Sequence, residues 1–139
     1  MPQLATFSLA EHLFGVEVGR VQEVLRYQPS TKVHLAPAAI GGLMNLRGQV
    51  VTSVDLRRRL SLPAHGDDAE PMNVVVRVDG EVVSLLVDAI GDVVTVGDDL
   101  FEAPPSTLSS KERELITGAY KLQDRLLLAL DIDRAVDVG

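Results

Sequence analysis

The run Gly42-Leu43-Met44-Asn45-Leu46-Arg47-Gly48-Gln49-Val50-Val51-Thr52-Ser53-Val54-Asp55-Leu56-Arg57-Arg58-Arg59-Leu60 is echoed later in the same chain. Moved forward by 76 positions, Gly42 falls on Gly118, Leu46 on Leu122, Val50 on Leu126 and Val51 on Leu127. Val54 then falls on Leu130, Asp55 on Asp131, Leu56 on Ile132, Arg58 on Arg134 and Leu60 on Val136. Apolar matches between strands arise easily, but Gly, Asp and Arg coincidences in one register mark an internal repeat. Upstream the shift shortens to 69, where Val21-Gln22-Glu23-Val24 falls on Ile90-Gly91-Asp92-Val93, and to 67 at Ala36-Pro37 and Ala103-Pro104. The changing shift means loops of different length between equivalent strands. Two ~65-residue units of about five short strands each, ending in a helical stub, predict an all-β fold of two small barrels, because closing a sheet removes its edges. One unit is expected over about residues 5–66, with the C-terminal helical stub available to complete it, and the other over about 71–136. Between them runs the linker-like stretch Ser61 to Pro71, with Pro63, Gly66, Asp67 and Asp68.

The local pattern agrees with strands. Thr6 to Leu9 and Phe14 to Val18 alternate on either side of Ala10-Glu11-His12 and predict a hairpin. Gln49 to Leu56 reads as a strand entered through a turn at Arg47-Gly48. Asn73 to Val78 and Val82 to Val87 flank Asp79-Gly80, a strong hairpin signal. Leu126 to Ile132 is a nearly unbroken apolar run, as in a strand covered on both faces. Short helices are predicted at Val21 to Leu25, after Pro37, at Leu56 to Leu60, at Ser109 to Leu115 and at Asp133 to Val138. Ser109 and Glu112 have capping-box spacing.

Composition excludes several functions. The 139 residues are 46% apolar and 24% charged, as in a globular chain, but only 4% aromatic, so Val, Leu, Ile and Ala must fill the interior. This length leaves no room for two domains of ordinary size. Without cysteine there is no thiol nucleophile, no disulfide and no zinc site using sulfur. The net charge of −7 disfavours a phosphate backbone, so no nucleic-acid partner is expected. No stretch is long and apolar enough to span a bilayer, and the first residues lack the pattern of a secretory leader. A cytoplasmic protein that does not insert into a membrane is expected.

Candidate chemistry is sparse. His12, His34 and His65 lack the partners of a metal ligand or a base and are expected in surface loops. Asp131-Ile132-Asp133 resembles a metal-binding carboxylate pair. The plainer reading ends a strand with Asp131 and caps the last helix with Asp133, since Asp55 ends the equivalent strand without a second Asp. A small metal-dependent hydrolase built on that pair is the enzyme alternative. Arg57-Arg58-Arg59 on a short helix would fan into solvent. Gly41-Gly42 neither follows a strand nor opens a helix as a phosphate loop would. No catalytic residue, cofactor site or metal site is therefore assigned. At Asn45-Leu46-Arg47-Gly48, Gly48 can take the positive φ of a tight turn, which leaves Arg47 projecting.

The string Gly42 to Val50, running into Val54-Asp55-Leu56-Arg57, resembles the signature of the CheW chemotaxis coupling-protein family. Further pieces follow in order. They are Phe14-Gly15-Val16, Val21-Gln22-Glu23-Val24, Leu35-Ala36-Pro37, Leu86 to Ile90, Asp92-Val93, Ala103-Pro104-Pro105, Thr117-Gly118 and Asp124-Arg125-Leu126. The resemblance spans about Ala5 to Val136. Thr52-Ser53 departs from it, since the family usually carries Pro and an aliphatic residue there; an extended strand accommodates both. The resemblance implies two intertwined five-stranded SH3-like barrels with short helices. It also implies a non-enzymatic adaptor, without cofactors, that links the cytoplasmic tips of methyl-accepting chemoreceptors to the regulatory domain of a CheA-type histidine kinase in arrays at the membrane. An adaptor of a non-flagellar chemosensory system, serving pili motility or development, is the alternative. Carried over residue by residue, Arg47, Gly48 and Glu23 match partner-binding positions, with Arg47 and Glu23 placed to form an ion pair. Val21, Ile90 and Val93 match positions near a receptor-facing groove.

Overall fold

The structure, a computed structural model, describes residues 3–28, 31, 40–63 and 70–137. The first half holds β1 (Gln3–Leu9), β2 (His12–Glu17), a 3-10 turn (Val18–Arg20), β3 (Val21–Leu25), β4 (Ile40–Leu46), β5 (Gln49–Asp55) and α1 (Leu56–Arg59). The second holds β6 (Met72–Val78), β7 (Glu81–Val87), β8 (Ala89–Thr95), the two-residue β9 (Phe101–Glu102), α2 (Ser110–Leu115), β10 (Ile116–Lys121), β11 (Leu126–Leu130) and α3 (Ile132–Ala135).

These strands make two sheets, in the orders β8-β1-β2-β11-β10-β9 and β3-β6-β7-β5-β4. The repeat is obeyed down to register. Val24 pairs with Val74, and 69 residues away Val93 pairs with Ala5. Leu43 pairs with Thr52, and 76 residues on Ala119 pairs with Leu128. The parallel pairs Thr52–Val83 and Leu128–Phe14 match in the same way. Irregularities also recur, between Ile40 and Gly42 and between Ile116 and Gly118.

The division at the linker, 5–66 against 71–136, does not describe the sheets. Each sheet takes its central hairpin from one half and its flanking strands from the other, so the units are intertwined. At β7–β8, connection length accounts for the exchange. Asp88 alone joins β7 to β8. Two peptide steps reach about 7 Å, too little to carry the chain across β6 to its far edge, about 9–10 Å away. β8 must therefore leave for the other sheet, where it pairs with β1.

Val21–Leu25, expected as a helix, is a strand paired with β6. The helical geometry belongs to the preceding Val18–Arg20. Val21, Glu23 and Leu25 are half-buried while Gln22 and Val24 are exposed, a period of two that only a strand presents. The helices at α1 and α2 form where expected. Ser109 Oγ accepts the Glu112 amide at 3.2 Å and Glu112 answers on the Ser109 amide, completing the capping box. The last helix begins at Ile132 and is capped by Asp131, whose Oδ1 accepts the Arg134 amide at 3.2 Å. Asp133 is an exposed residue within it. The segment after Pro37, with Leu35-Ala36-Pro37, His34 and His65, lies outside the described residues.

Among the described residues the core has one large shared cluster and two satellites. The shared cluster takes Phe7, Phe14 and Leu128 from one sheet, Val54, Val74 and Leu85 from the other, and Leu56, Leu115 and Ile132 from the three helices. Phe7 and Phe14 stack at its centre, ring centroids 6.0 Å apart, so two of three phenylalanines anchor an otherwise aliphatic interior. Each satellite lies inside one sheet. Met44, Leu46, Val51 and Val75 meet Leu25, so β3 and β4, the opposite edges of the five-stranded sheet, close over common side chains. Leu4, Val96 and Leu127 form the second satellite, on the six-stranded sheet, with Val94 and Tyr120 packed against them.

Candidate protein-docking site

The β4–β5 turn is held by three local features. Leu46 pairs with Gln49, leaving Arg47 and Gly48 as a two-residue loop, and both have positive φ, 52° and 86°. Two such residues give the mirror-image turn that follows the twist of a hairpin. Gly48 adopts this backbone at no steric cost; a Cβ there would touch nothing within 4 Å, so conformation rather than space requires glycine. Asn45 Oδ1 accepts the Gly48 amide at 2.8 Å and locks the turn.

Arg47, in the less comfortable position, projects toward β3 and meets Glu23. Nη1 donates to Oε1 at 3.0 Å and Nη2 to Oε2, a two-pronged pair across the seam between the edge strands. The guanidinium hydrogen bond holds the Glu23 carboxyl below its ordinary range, and Glu23 in turn raises Arg47. The arginine side chain stays 66% exposed while Glu23 is 21% exposed, so the glutamate orients and the arginine is presented. The strands that carry the pair and their neighbour also expose aliphatic side chains: Val24 on β3, Leu43 on β4 and Val50, 66% exposed, on β5. A rigid charge on a sheet that also exposes aliphatics suits recognition of another protein.

The expected residues fall into two groups. Arg47, Gly48 and Glu23 come together on the five-stranded sheet. Val21, on the same strand as Glu23, is partly buried and packs against the shared core. Ile90 and Val93 lie on β8 of the other sheet. Ile90 also packs on the shared core, whereas Val93 is 54% exposed. Val24, Leu43 and Val50 were not singled out by sequence. Their signal is strand alternation, which puts Val24 opposite in facing to Glu23 and Val50 beside Asn45, once β3 is known to be a strand.

Other candidates resolve into structure. Arg57 donates to Asp88 Oδ1 at 2.8 Å and to the Pro63 carbonyl, Arg58 pairs with Asp55, and Arg59 reaches the carbonyls of Arg134, Ala135 and Asp137 at the end of α3. The arginine triplet is therefore a set of clasps and not a solvated fan, because α1 lies at the junction of the two halves. Asp131 is occupied as a helix cap and Asp133 by Arg20 at 2.7 Å. His12 is half-buried at the start of β2, edge-on to Phe14 at 6.2 Å.

The family model described as CheW-like domain matches residues 3–138. The chemotaxis protein CheW of Rhizobium meliloti is 32% identical over 131 residues, covering 94% of this chain and 84% of that protein. The probable chemotaxis protein CheW of Rhizobium etli is 30% identical over the same shares of both chains. Among solved structures, the scaffolding protein TtCheW from Thermoanaerobacter tengcongensis superposes with a TM-score of 0.87 at 28% identity, covering 100% of this chain and 95% of that one.

Proposed function

Because the chain belongs to the CheW-like domain family, we propose that it is a non-catalytic coupling protein that joins the cytoplasmic tips of chemoreceptors to a CheA-type histidine kinase, with Arg47 as a contact residue. The family match along nearly the whole chain carries this reading, and the solved relative is itself described as a scaffolding protein. The Arg47–Glu23 tip supports it locally: a preoriented, mostly exposed guanidinium, on a sheet whose strands also expose Val24 and Val50, suits an acidic and apolar protein surface. Val93, and the exposed margins of Val21 and Ile90, supply the receptor-facing part. The proposed protein works in the cytoplasm and reaches the membrane through its receptors; no helix of the described residues is long and apolar enough to cross a membrane.

Co-sedimentation with receptor–kinase assemblies tests the role of Arg47. Arg47→Glu leaves folding intact and weakens association by roughly tenfold. Pairing it with Glu23→Arg rebuilds the ion pair with reversed polarity. If Arg47 contacts the partner, that double variant stays weak. If the residue only braces the turn, the double variant binds like the parent and the contact assignment fails.

A further inference from the structure

Two ion pairs occupy the same place in the two copies of the repeat but with opposite polarity. The second residue of α1 is Arg57, and it grips Asp88, the single residue between β7 and β8, through two nitrogens. The second residue of α3 is Asp133, 76 positions later, and it grips Arg20, the last residue before β3. Asp88 and Arg20 sit at equivalent strand junctions, one position apart under the shift of 69. Each clasp closes a parallel strand pair contributed by both halves. α1 follows β5, which lies on β7, and α3 follows β11, which lies on β2.

We propose that the opposed polarity of these clasps dictates which half pairs with which, steering first halves onto second halves and against identical halves of another copy. The repeat makes the competing assembly geometrically available. The strand order and register of the two sheets coincide under the repeat, so a first half could in principle take the place of a second half. Two first halves would then bring Arg57 of one copy against Arg20 of the other, and two second halves would bring Asp133 against Asp88. Both homotypic pairings place like charges together, whereas the observed pairing satisfies both. Like-charge juxtaposition is how closely related interfaces reject the wrong mate, and interchange of equivalent elements between copies is a low-cost route to unwanted assembly. The Arg57–Asp88 clasp is the better shielded, with side chains 18% and 22% exposed, so it carries the larger share.

The absence of native cysteine allows a direct test. A chain carrying Ala5→Cys, Val24→Cys and Val93→Cys is refolded and oxidised, and its disulfides are mapped by mass spectrometry. Heterotypic pairing sets position 5 opposite 93, while homotypic pairing of first halves sets it opposite 24 of another copy. The parent charges give the 5–93 link within one chain. Arg57→Asp with Asp133→Arg raises the interchain 5–24 share on the order of tenfold. Neutralising all four groups (Arg20→Gln, Arg57→Gln, Asp88→Asn, Asp133→Asn) introduces no repulsion and gives a smaller rise. A neutral variant that folds with only the 5–93 link overturns the proposal. So does a charge-reversed variant that forms neither link, since the clasps would then brace the fold without selecting its mates.

Discussion

The two hairpin tips related by the repeat, at β4–β5 and at β10–β11, begin from the same scaffold and end differently. In the first, Arg47 and Gly48 both have positive φ and the ladder runs to Leu46 and Gln49. In the second, Gln123 and Asp124 stand in their place without positive φ, and the ladder stops at Lys121 and Leu126. Leu122, the counterpart of Leu46, is half-buried against a satellite core, and its amide still reaches the Arg125 carbonyl at 2.9 Å. Glu23 has Asp92 as its counterpart, but the arginine that would answer it is Gln123. The repeat supplies the frame twice; the charged tip is built once. Duplication fixes where a tip sits, and a dipeptide that tolerates left-handed backbone decides whether it becomes a rigid projection.

The largest test asks whether the two sheets are separable at all. Phe14→Ala, at a fully buried position of the shared core, should cost about 3–5 kcal/mol and lower amide protection in β7 together with β2. If β7 keeps its protection while β2 loses it, the sheets are independent and comparing their tips as parts of one body fails. At the tips themselves, Gly48→Val forces a branched residue into φ 86° and should cost about 1–2 kcal/mol by urea denaturation. Asp124→Val, at the matching position without positive φ, should stay within about 0.5 kcal/mol of the parent. Equal losses at both positions would erase the backbone distinction. The smallest effect is electrostatic. Arg47 lowers the Glu23 carboxyl below its ordinary 4.5, so its contribution is present above that pH and disappears as pH falls through the depressed value. Urea midpoints taken from pH 7 down to pH 3 should therefore decline slightly less for Glu23→Gln than for the parent; no difference would leave the pair without a thermodynamic role.

Much of this was readable in the residues. Asp79-Gly80 turns as its chemistry requires, and Asp55 and Asp131 mark equivalent strand ends; that Asp131, and not the expected Asp133, caps the last helix comes from the structure, where the helix starts one residue earlier. The Arg47–Glu23 pairing was legible through family resemblance. The exchange of strands was not, because alternation shows that a segment lies in a sheet without saying which one. The same gap hid β3: its short Val-rich run carries no caps, and only its pairing with β6 fixes the period. Exposure of Val24 and Leu43 likewise depends on how far the sheet curls, which no local pattern records. Arg57 and Arg59 give no local sign of their roles because their acceptors, Asp88 and the carbonyls ending α3, lie far along the chain, whereas Arg58 meets Asp55 three residues back.

The pairing of β2 with β11 also has a consequence for synthesis on the ribosome. Phe14 waits for Leu128 as a sheet neighbour, so the six-stranded sheet cannot be completed before β11 is made, whereas the five-stranded sheet has all its strands once β7 ends at Val87. β2 remains without this neighbour until β11 has been translated, an interval in which its apolar face depends on chaperones or speed for protection.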